Sequence, residues 1–296
     1  MVSSEFINRF NQVARSPDPD LATAALLIAR LEFRKLDASR YLKQLDQMGE
    51  EALHRLRKQQ TSKAVDPLKT IEVLNIYLFK EQGFTGNGQR YDDPRDNFLN
   101  EVMDRRIGIP ITLALVYIEV ARRAGIHFEG VNFPGHFLLR MRHPSETEEG
   151  INTDIIIDPF HGGVVLSEMD CRRLLREHIG DEAIFDGRSL IRATKQQILI
   201  RMLVNLKRIY IKMRSFPQGL AITELLLALN PSSMAELRDR GLLAYHLNDF
   251  SSALRDLEVY LKFTSRRNVK ETEEQEEHKE IWEYVKALHR RVASFN

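Results

Sequence analysis

The segment Arg106-Ile107-Gly108-Ile109-Pro110, with the strand-like runs that follow it, decides the fold of this chain. Apolar residues recur at helical spacing from Ile109 to Ala124. Pro110 suits the first turn of that helix, where its missing N–H would have had no intrahelical partner. Three runs with strand character come next, at 128–133, 136–141 and 154–158. One helix packed on a small antiparallel sheet predicts an α+β core.

The composition is that of a globular chain without a strong overall charge. It has 296 residues, 43% of them apolar, which is enough for more than one core and predicts about two domains. Lys and Arg number 43 against 42 Asp and Glu, so the formal charge is +1. No global field attracts nucleic acid, a membrane or an acidic partner, and partners must be recognised by local shape.

The cysteine content and the first residues bound the chemistry and the compartment. A single cysteine, Cys171, excludes an internal disulfide framework and a Cys-rich metal site. No secretory signal pattern follows Met1, so the cytoplasm is the expected location. The most apolar window, 107–124, contains Pro110 and Glu119 and is too short and too charged to span a membrane.

The order of these patterns predicts three regions: an N-terminal helical region at 1–98 that packs on the core, the core itself at 99–192, and an all-α region at 193–296. Helices are predicted at Ala22–Leu36 and Leu68–Phe79. The segment Gln82–Phe98 is rich in Gly and Asp but lacks a phosphate-binding motif, so we expect an ordered loop. The polar run His143–Thr153 is expected to be an exposed loop.

The C-terminal region contains an internal repeat. The segments starting at Phe216 and Phe250 are similar and lie 34 residues apart, which is the period of tetratricopeptide repeats. Lys207 departs from the pattern, because a small residue is usual there. Two repeats need support from a neighbour, and a helix at 276–294 that contains Trp282 is predicted to cap them.

Three positions of the core are arranged as the catalytic groups of a papain-like Cys-His-Asp enzyme would be. The nucleophile of such a site lies at a helix N-terminus, where the helix dipole favours a thiolate. Pro110 stands at that place and has no group to activate. His136 would be the base, and Asp158 would hold its imidazole in the useful tautomer. Because His136 alternates with Leu138 on its predicted strand, we expect that it need not be a core residue.

Four motifs occur in a specific order: Leu99-Asn100-Glu101-Val102, Arg105-Arg106-Ile107-Gly108-Ile109-Pro110-Ile111, Gly130-Val131-Asn132-Phe133-Pro134-Gly135-His136-Phe137 and Asp158-Pro159-Phe160-His161-Gly162-Gly163. Together they resemble the SirB family of transglutaminase-like proteins, which carries a C-terminal tetratricopeptide-repeat region. The wider pattern is similar to the R-x-G-x-C, His and D-P motifs of the papain-related transglutaminase-like superfamily. The resemblance implies a transglutaminase-like fold in which proline replaces the ancestral cysteine.

Other residues could supply the missing chemistry, and each has a simpler interpretation. Thr112 could be activated near His136, but a hydroxyl at a helix start is more often a cap. Cys171 lies on a different predicted helix, where a lone cysteine is mostly a small buried hydrophobe. A metal could bind His136, Asp158 and His161, but their spacing is no zinc signature, so neither metal nor cofactor is predicted. The leading interpretation of His136 and Asp158 is a hydrogen-bonded pair that knits two strands beside a groove.

A dense polar group precedes the central helix. Asn100, Glu101, Arg105 and Arg106, with His161 from a later motif, could form a binding rim beside the remnant site. The alternative is an internal network, since Glu101 and Arg105 have the i, i+4 spacing and order of a helix ion pair.

Three functions are compatible with these features. The first is a protein-interaction adaptor or regulator that uses the repeats and the remnant groove to bind a protein or peptide. The second is a hydrolase or acyl transferase of amide bonds that uses His136 and Asp158 with a nucleophile other than cysteine. The third, nucleic-acid binding, rests on Arg266-Arg267 and Arg290-Arg291, which are weak signals on a nearly neutral chain. We expect no nucleic-acid or membrane partner, and the oligomeric state is left open.

Overall fold

The computed structural model describes residues 2–59, 66–88, 92–142, 154–264 and 272–293. The chain divides into two compact units: Val13–Met202 forms one, and Met1–Gln12 with Leu203–Asn296 forms the other. The predicted region boundaries at 98/99 and 192/193 stay a prediction. The loop predicted at His143–Thr153 and the doublet Arg266-Arg267 lie outside the described residues.

The described helices are α1 (Ser4–Ala14), α2 (Leu21–Ala29), α3 (Ala38–Gln59), α4 (Pro67–Asn75), α5 (Leu99–Arg105), α6 (Pro110–Arg123), α7 (Glu168–Ile179), α8 (Lys195–Lys212), α9 (Phe216–Leu229), α10 (Met234–His246), α11 (Phe250–Thr264) and α12 (Thr272–Ala293). The described strands are β1 (Thr85–Gly86), β2 (Ile107–Gly108), β3 (Glu129–Val131), β4 (Leu138–Met141), β5 (Ile155–Asp158) and β6 (Val164–Leu166). None of the described helices combines the length and apolar character needed to cross a bilayer.

The α+β prediction for the first unit is confirmed. Strands β3, β4, β5 and β6 form one antiparallel sheet in that order, and helix α6 contacts β3 and β4. Every residue of α6 from Pro110 to Ala121 is buried. A second, two-stranded sheet pairs β1 with β2 in parallel, with Thr85 opposite Ile107. The segment that decides the fold therefore runs from β2 into a helix that is buried over most of its length.

Two predicted helices of this unit end differently from the expectation. The helix predicted at Ala22–Leu36 ends at Ala29, because the Arg30 guanidinium donates hydrogen bonds to the carbonyl of Leu36 at 3.2 and 3.1 Å and closes a turn. The helix predicted at Leu68–Phe79 starts as α4 but continues as a π-helical turn at Ile76–Glu81. Pro67 occupies the first turn of α4, and Asp66 caps it through the backbone N–H groups of Leu68 and Lys69.

The second unit consists of paired helices, as the 34-residue repeat predicts. Phe216 and Phe250 are the first residues of α9 and α11, so the repeat is also a structural one. Gly241 lies against Leu257, where a Cβ atom would approach the leucine Cδ2 to 2.7 Å. The closing helix α12 packs on α11 through the buried Val285 and Leu288, and Trp282 on the same helix is 50% exposed.

Lys207 fits the repeat through an ion-pair network. Its position is equivalent, 34 residues earlier, to Gly241. The Lys207 ammonium donates hydrogen bonds to Glu236 Oε2 at 2.8 Å and to Asp239 Oδ2 at 2.6 Å, with all three side chains largely buried. Two carboxylates on α10 therefore compensate for the loss of the small residue that the pattern favours.

Candidate functional site

His136 and Asp158 are brought together by a turn and a strand end. The ring Nε2 of His136 lies 2.9 Å from Asp158 Oδ1, and each residue is 1% exposed. Asp158 is the last residue of β5, whereas His136 precedes β4, in a turn where its N–H bonds to the Phe133 carbonyl. Two expectations are therefore wrong, because His136 lies outside the strand and belongs to the core.

Asp158 is the centre of the cluster. Its Oδ1 also accepts the backbone N–H of Phe160 at 2.9 Å, and its Oδ2 accepts His161 Nδ1 at 2.7 Å. Burial by itself would raise the pKa of this carboxyl, but the hydrogen bonds and charges of His136 and His161 outweigh burial and lower the pKa. Asp158 is therefore held as a carboxylate, which can only accept hydrogen bonds.

The second nitrogen of His136 is buried without a hydrogen bond. When the imidazole is neutral and its Nε2 proton is the one donated to the Asp158 carboxylate, the Nδ1 atom carries a lone pair. Nδ1 has no hydrogen-bond partner among the described residues. The ring contacts Phe160 and His178 edge-on, with centroid distances of 5.7 and 5.3 Å, and stacks on His161 at 5.9 Å. Chemically, Nδ1 of the neutral ring is a base, and it is buried.

Pro110 is the first residue of α6, as predicted, with Ile109 as the N-cap. The Thr112 hydroxyl donates to the Asp96 carbonyl at 2.8 Å and accepts the Ile109 N–H at 3.1 Å. Thr112 is fully buried, and no described hydrogen bond joins it to His136. The geometry of its hydroxyl is thus that of a helix cap, which was the simpler of its two interpretations.

Cys171 belongs to an apolar cluster that joins α7 to the four-stranded sheet. It is on α7, is 1% exposed and packs with Val131, Phe133 and Leu138. Burial, with a smaller contribution from Asp170, raises the pKa of its thiol to about 11. A thiol that stays protonated in an apolar contact is a poor nucleophile.

The polar residues before α6 do not form a continuous rim. Asn100 is 2% exposed. Arg105 donates to Asp96 Oδ1 at 2.8 Å, so the ion pair predicted between Glu101 and Arg105 is replaced by a longer-range one. Arg106 has a left-handed backbone, with φ at 63°, and its guanidinium lies 4.6 Å from the Phe84 ring centroid. Only His161, whose side chain is 57% exposed, has the accessibility expected of a rim residue among the five.

The sequence patterns missed two residues that shape the site. Asp96 is fully buried and joins Arg105, the Asn87 amide and, through its carbonyl, Thr112. His178 lies over Gly135, where a Cβ atom would approach the histidine Cβ to 2.5 Å. The contacts of Asp96 reach 9 to 16 residues along the chain, that of His178 reaches farther, and no local motif marks either residue.

A metal ion could be held by His136, Asp158 and His161, whose potential ligand atoms lie within 4.8 Å of one another. Metal-binding histidines usually donate their other ring N–H to an acceptor. If His136 bound a metal through Nε2, its Nδ1–H would be buried without a described acceptor. The residues therefore fit a hydrogen-bonded triad better than a metal site, and the absence of a metal stays a prediction.

Comparisons with known proteins agree with this architecture. Residues 39–204 match the family described as the transglutaminase-like superfamily, and residues 206–288 match the tetratricopeptide repeat. A UPF0162 protein of Xylella fastidiosa (strain Temecula1) is 39% identical over 276 residues, which cover 91% of this chain and 94% of that protein.

Two further relatives share less of the chain. The protein SirB1 of Salmonella typhimurium is 27% identical over 72% of this chain and 76% of its own length. F-box only protein 21 of Mus musculus is 36% identical over 115 residues, which are 38% of this chain and 18% of that protein. The family match covers more than half of the chain, and the UPF0162 relative is similar over almost its whole length. The chain therefore belongs to the transglutaminase-like superfamily and, within it, to the UPF0162 proteins with a C-terminal tetratricopeptide-repeat region.

Proposed function

We propose that this chain is a non-catalytic transglutaminase-like protein that acts as a protein-interaction adaptor or regulator. The observation that carries the proposal is the residue at the start of α6. The resemblance places the nucleophile there, and the chain has Pro110, which offers no proton to remove and no atom to attack with. The predicted cytoplasmic location, and the expectation of a protein rather than a nucleic-acid or membrane partner, belong to the same proposal.

The other candidate nucleophiles support this choice. The hydroxyl of Thr112 is engaged with Asp96 and Ile109, and the thiol of Cys171 is buried with a raised pKa. A catalyst needs its nucleophile within hydrogen-bonding reach of the base. No described hydrogen bond links either side chain to His136.

The repeats supply the binding face in this proposal. On α8, Val204 and Ile211 are 38% and 39% exposed, which is unusual for apolar residues inside a helical repeat. Their equivalents 34 residues later on α10 are Arg238 and Tyr245, both half-buried. At the second repeat helix α12 covers these positions, since Arg238 forms an ion pair with Glu277 and Tyr245 packs on Tyr284. The equivalent positions on α8 are exposed, which suits a helix of a partner packed there as α12 is packed on α10.

A capture experiment with the full chain tests this role. The wild type is compared with Val204→Glu and Ile211→Glu as bait, and the partner is identified by chemical cross-linking. We expect each substitution to weaken capture about tenfold or more, because a charge in an apolar contact must be desolvated. Phe263→Glu on α11, also at an exposed position (53%), is the matched control and should capture normally. Equal capture by all four proteins would contradict the use of the α8 face.

A second function is favoured by one observation, the buried base at His136. An Asp158 carboxylate that accepts from Nε2, and a lone pair on Nδ1, are what a hydrolase or acyl transferase of amide bonds requires of its base. The test is turnover of peptide amides and incorporation of a labelled amine by wild type and His136→Ala. Turnover that His136→Ala abolishes would establish an enzyme, and activity unchanged in the variant would exclude this use of the pair.

A further inference from the structure

A groove lies along the outer strand of the four-stranded sheet, on the first unit. One wall is the helical ridge of Leu68, Glu72, Ile76 and Lys80, and the other is Val164 and Val165 of β6. We call this surface, defined by these six residues, the β6 groove. Its volume is about 260 Å³.

The walls of the β6 groove are apolar and open to solvent. Leu68, Ile76, Val164 and Val165 are 57%, 42%, 47% and 44% exposed. Single exposed apolar side chains are ordinary on protein surfaces, but several that line one groove mark a binding surface. The groove is thus suited to taking up apolar side chains.

The strand beside the groove has a free edge within the described part of the chain. The sheet order is β3-β4-β5-β6, and among the described strands β6 pairs only with β5, with Val165 opposite Ile157. In an antiparallel strand, every second residue directs its N–H and C=O away from its neighbour. Such an edge can pair with another extended chain, and a groove between an edge strand and a helix is a known way of binding peptides.

The groove walls are fixed to each other and to the core. Asn75 Nδ2 donates to the Gly163 carbonyl at 2.8 Å, and Asn75 Oδ1 accepts the Tyr117 hydroxyl at 3.2 Å. Gly162 and Gly163 have φ values of 75° and 76°, and at Gly163 the Asn75 side chain occupies the place of any Cβ. A preformed groove spares a ligand the free energy of ordering it.

The charges of the groove indicate what the ligand carries. Glu72 and Lys80 lie on either side of Ile76 on the same ridge, and both are exposed. Neither forms an ion pair with another described side chain. They are eight positions apart, which corresponds to about 12 Å at the α-helical rise, a length that about four residues of an extended peptide cover. One acidic and one basic residue at this distance complement a peptide with the opposite charges about four positions apart.

We propose that the β6 groove binds an extended peptide segment of a partner protein, which adds to the sheet as a strand beside β6. Its apolar side chains fill the groove, and a basic and an acidic residue pair with Glu72 and Lys80. This site involves neither the repeats nor His136. It can therefore fail while the proposed function holds, and the reverse is also true.

The test starts from a phage-displayed library of random peptides selected on the full chain. Selected peptides are synthesised with a fluorophore, and their affinity is measured by fluorescence anisotropy. We expect a consensus of apolar residues flanked by one basic and one acidic residue, and a loss of about tenfold or more for Ile76→Glu and for Val165→Lys. Met169→Glu replaces an apolar side chain that is 76% exposed on α7, outside the groove, and should leave the affinity unchanged.

Two further measurements distinguish strand addition from simple apolar contact. N-methylation of the peptide at alternate residues should abolish binding in one register and leave it intact in the other, because only every second N–H faces β6. The double variant Glu72→Lys with Lys80→Glu should bind a peptide whose basic and acidic residues are exchanged more tightly than it binds the original peptide. Selected peptides that bind Ile76→Glu as well as wild type would overturn the proposal. The proposal would also be overturned if sedimentation showed that the wild type is a dimer and that Ile76→Glu dissociates it, because the groove would then bind a second copy of the chain.

Discussion

The imidazole of His136 and the carboxylate of Asp158 are joined by a 2.9 Å hydrogen bond at a site where each residue is 1% exposed. Burying a charged group is costly unless hydrogen bonds compensate for it, and Asp158 accepts three. The same pair that resembles catalytic machinery is thus also a structural joint between the end of β5 and the turn before β4. A role in stability accounts for this pair whether or not the chain has an activity.

Replacing Asp158 with alanine should destabilise the first unit strongly. The substitution leaves the N–H groups of His136 and Phe160 buried without an acceptor, and each such loss costs about 1–3 kcal/mol. We expect the free energy of unfolding to fall by about 3 kcal/mol or more, as measured by urea unfolding monitored by circular dichroism. His161→Ala removes a bond from a mostly exposed side chain and should cost less than about 1 kcal/mol. Equal losses for the two variants would mean that the buried pair is not a joint.

The stability should fall as the pH drops below 6.5, and His178 should contribute to this. Burial, followed by the nearby His136, lowers the pKa of His178 from its ordinary 6.5. Between the two pKa values the unfolded chain takes up a proton that the folded chain does not, so acid favours unfolding. The lowered pKa of Asp158 acts only below 3.8. The unfolding free energy of the wild type, measured from pH 7 to about 5, should therefore fall more than that of His178→Gln. Parallel curves of unfolding free energy against pH for the two proteins would exclude a contribution from His178.

Two glycines of the repeats should respond differently to alanine. A Cβ atom at Gly241 would lie 2.7 Å from Leu257 Cδ2, whereas one at Gly219 would lie 3.3 Å from Leu243 Cδ2. Gly241→Ala should lower the free energy of unfolding by about 1–2 kcal/mol, because the added methyl group overpacks the contact with Leu257. Gly219→Ala introduces the residue that the second repeat has at the equivalent position, Ala253. The higher helix propensity of alanine should offset the close contact with Leu243, so the free energy of unfolding should change by no more than about 0.5 kcal/mol. The fluorescence of Trp282, the only tryptophan, reports unfolding of this unit.

Local patterns predicted the elements of this chain better than its contacts. Helix α6 starts at Pro110, and the repeat helices start at Phe216 and Phe250, because helix caps and periodicity depend on a few neighbouring residues. The burial of His136 could not be predicted in this way. It depends on a turn closed to Phe133 and on the packing of His178, which is 42 residues later in the chain.

Polar partners were the least predictable part of the site. Arg105 has a plausible partner four residues before it at Glu101, but pairs with the fully buried Asp96. Lys207 looks like a defect of the repeat until Glu236 and Asp239 on a later helix are brought beside it. A buried charge is stabilised by whichever opposite charge the fold brings near, and this depends on the tertiary structure rather than on spacing along one helix.

Pro110→Cys should create a thiol with a low pKa. A cysteine at the first position of α6 would be buried, which raises a thiol pKa, but the helix dipole would favour its thiolate. The resemblance places residue 110 at the nucleophile position, where the Nδ1 of His136 would take up the thiol proton and lower the pKa further. We expect its thiolate, followed by ultraviolet absorbance, to form below the ordinary pKa of about 8.5. The native Cys171 provides little background, since burial raises the pKa of its thiol to about 11.

Two variants show whether His136 causes the effect. Ile184→Cys puts a thiol at a position that is 85% exposed and provides the reference for an unperturbed group. The double variant Pro110→Cys with His136→Ala should raise the thiol pKa most of the way back to that reference, leaving only the smaller contribution of the helix N-terminus. Two results would mean that proline does not stand at the nucleophile position. One is a Pro110→Cys thiol whose pKa equals that of the reference, and the other is a Pro110→Cys thiol whose pKa does not change when His136 is replaced. The adaptor proposal would then lose the observation that carries it, because the absence of a nucleophile at residue 110 would no longer bear on catalysis.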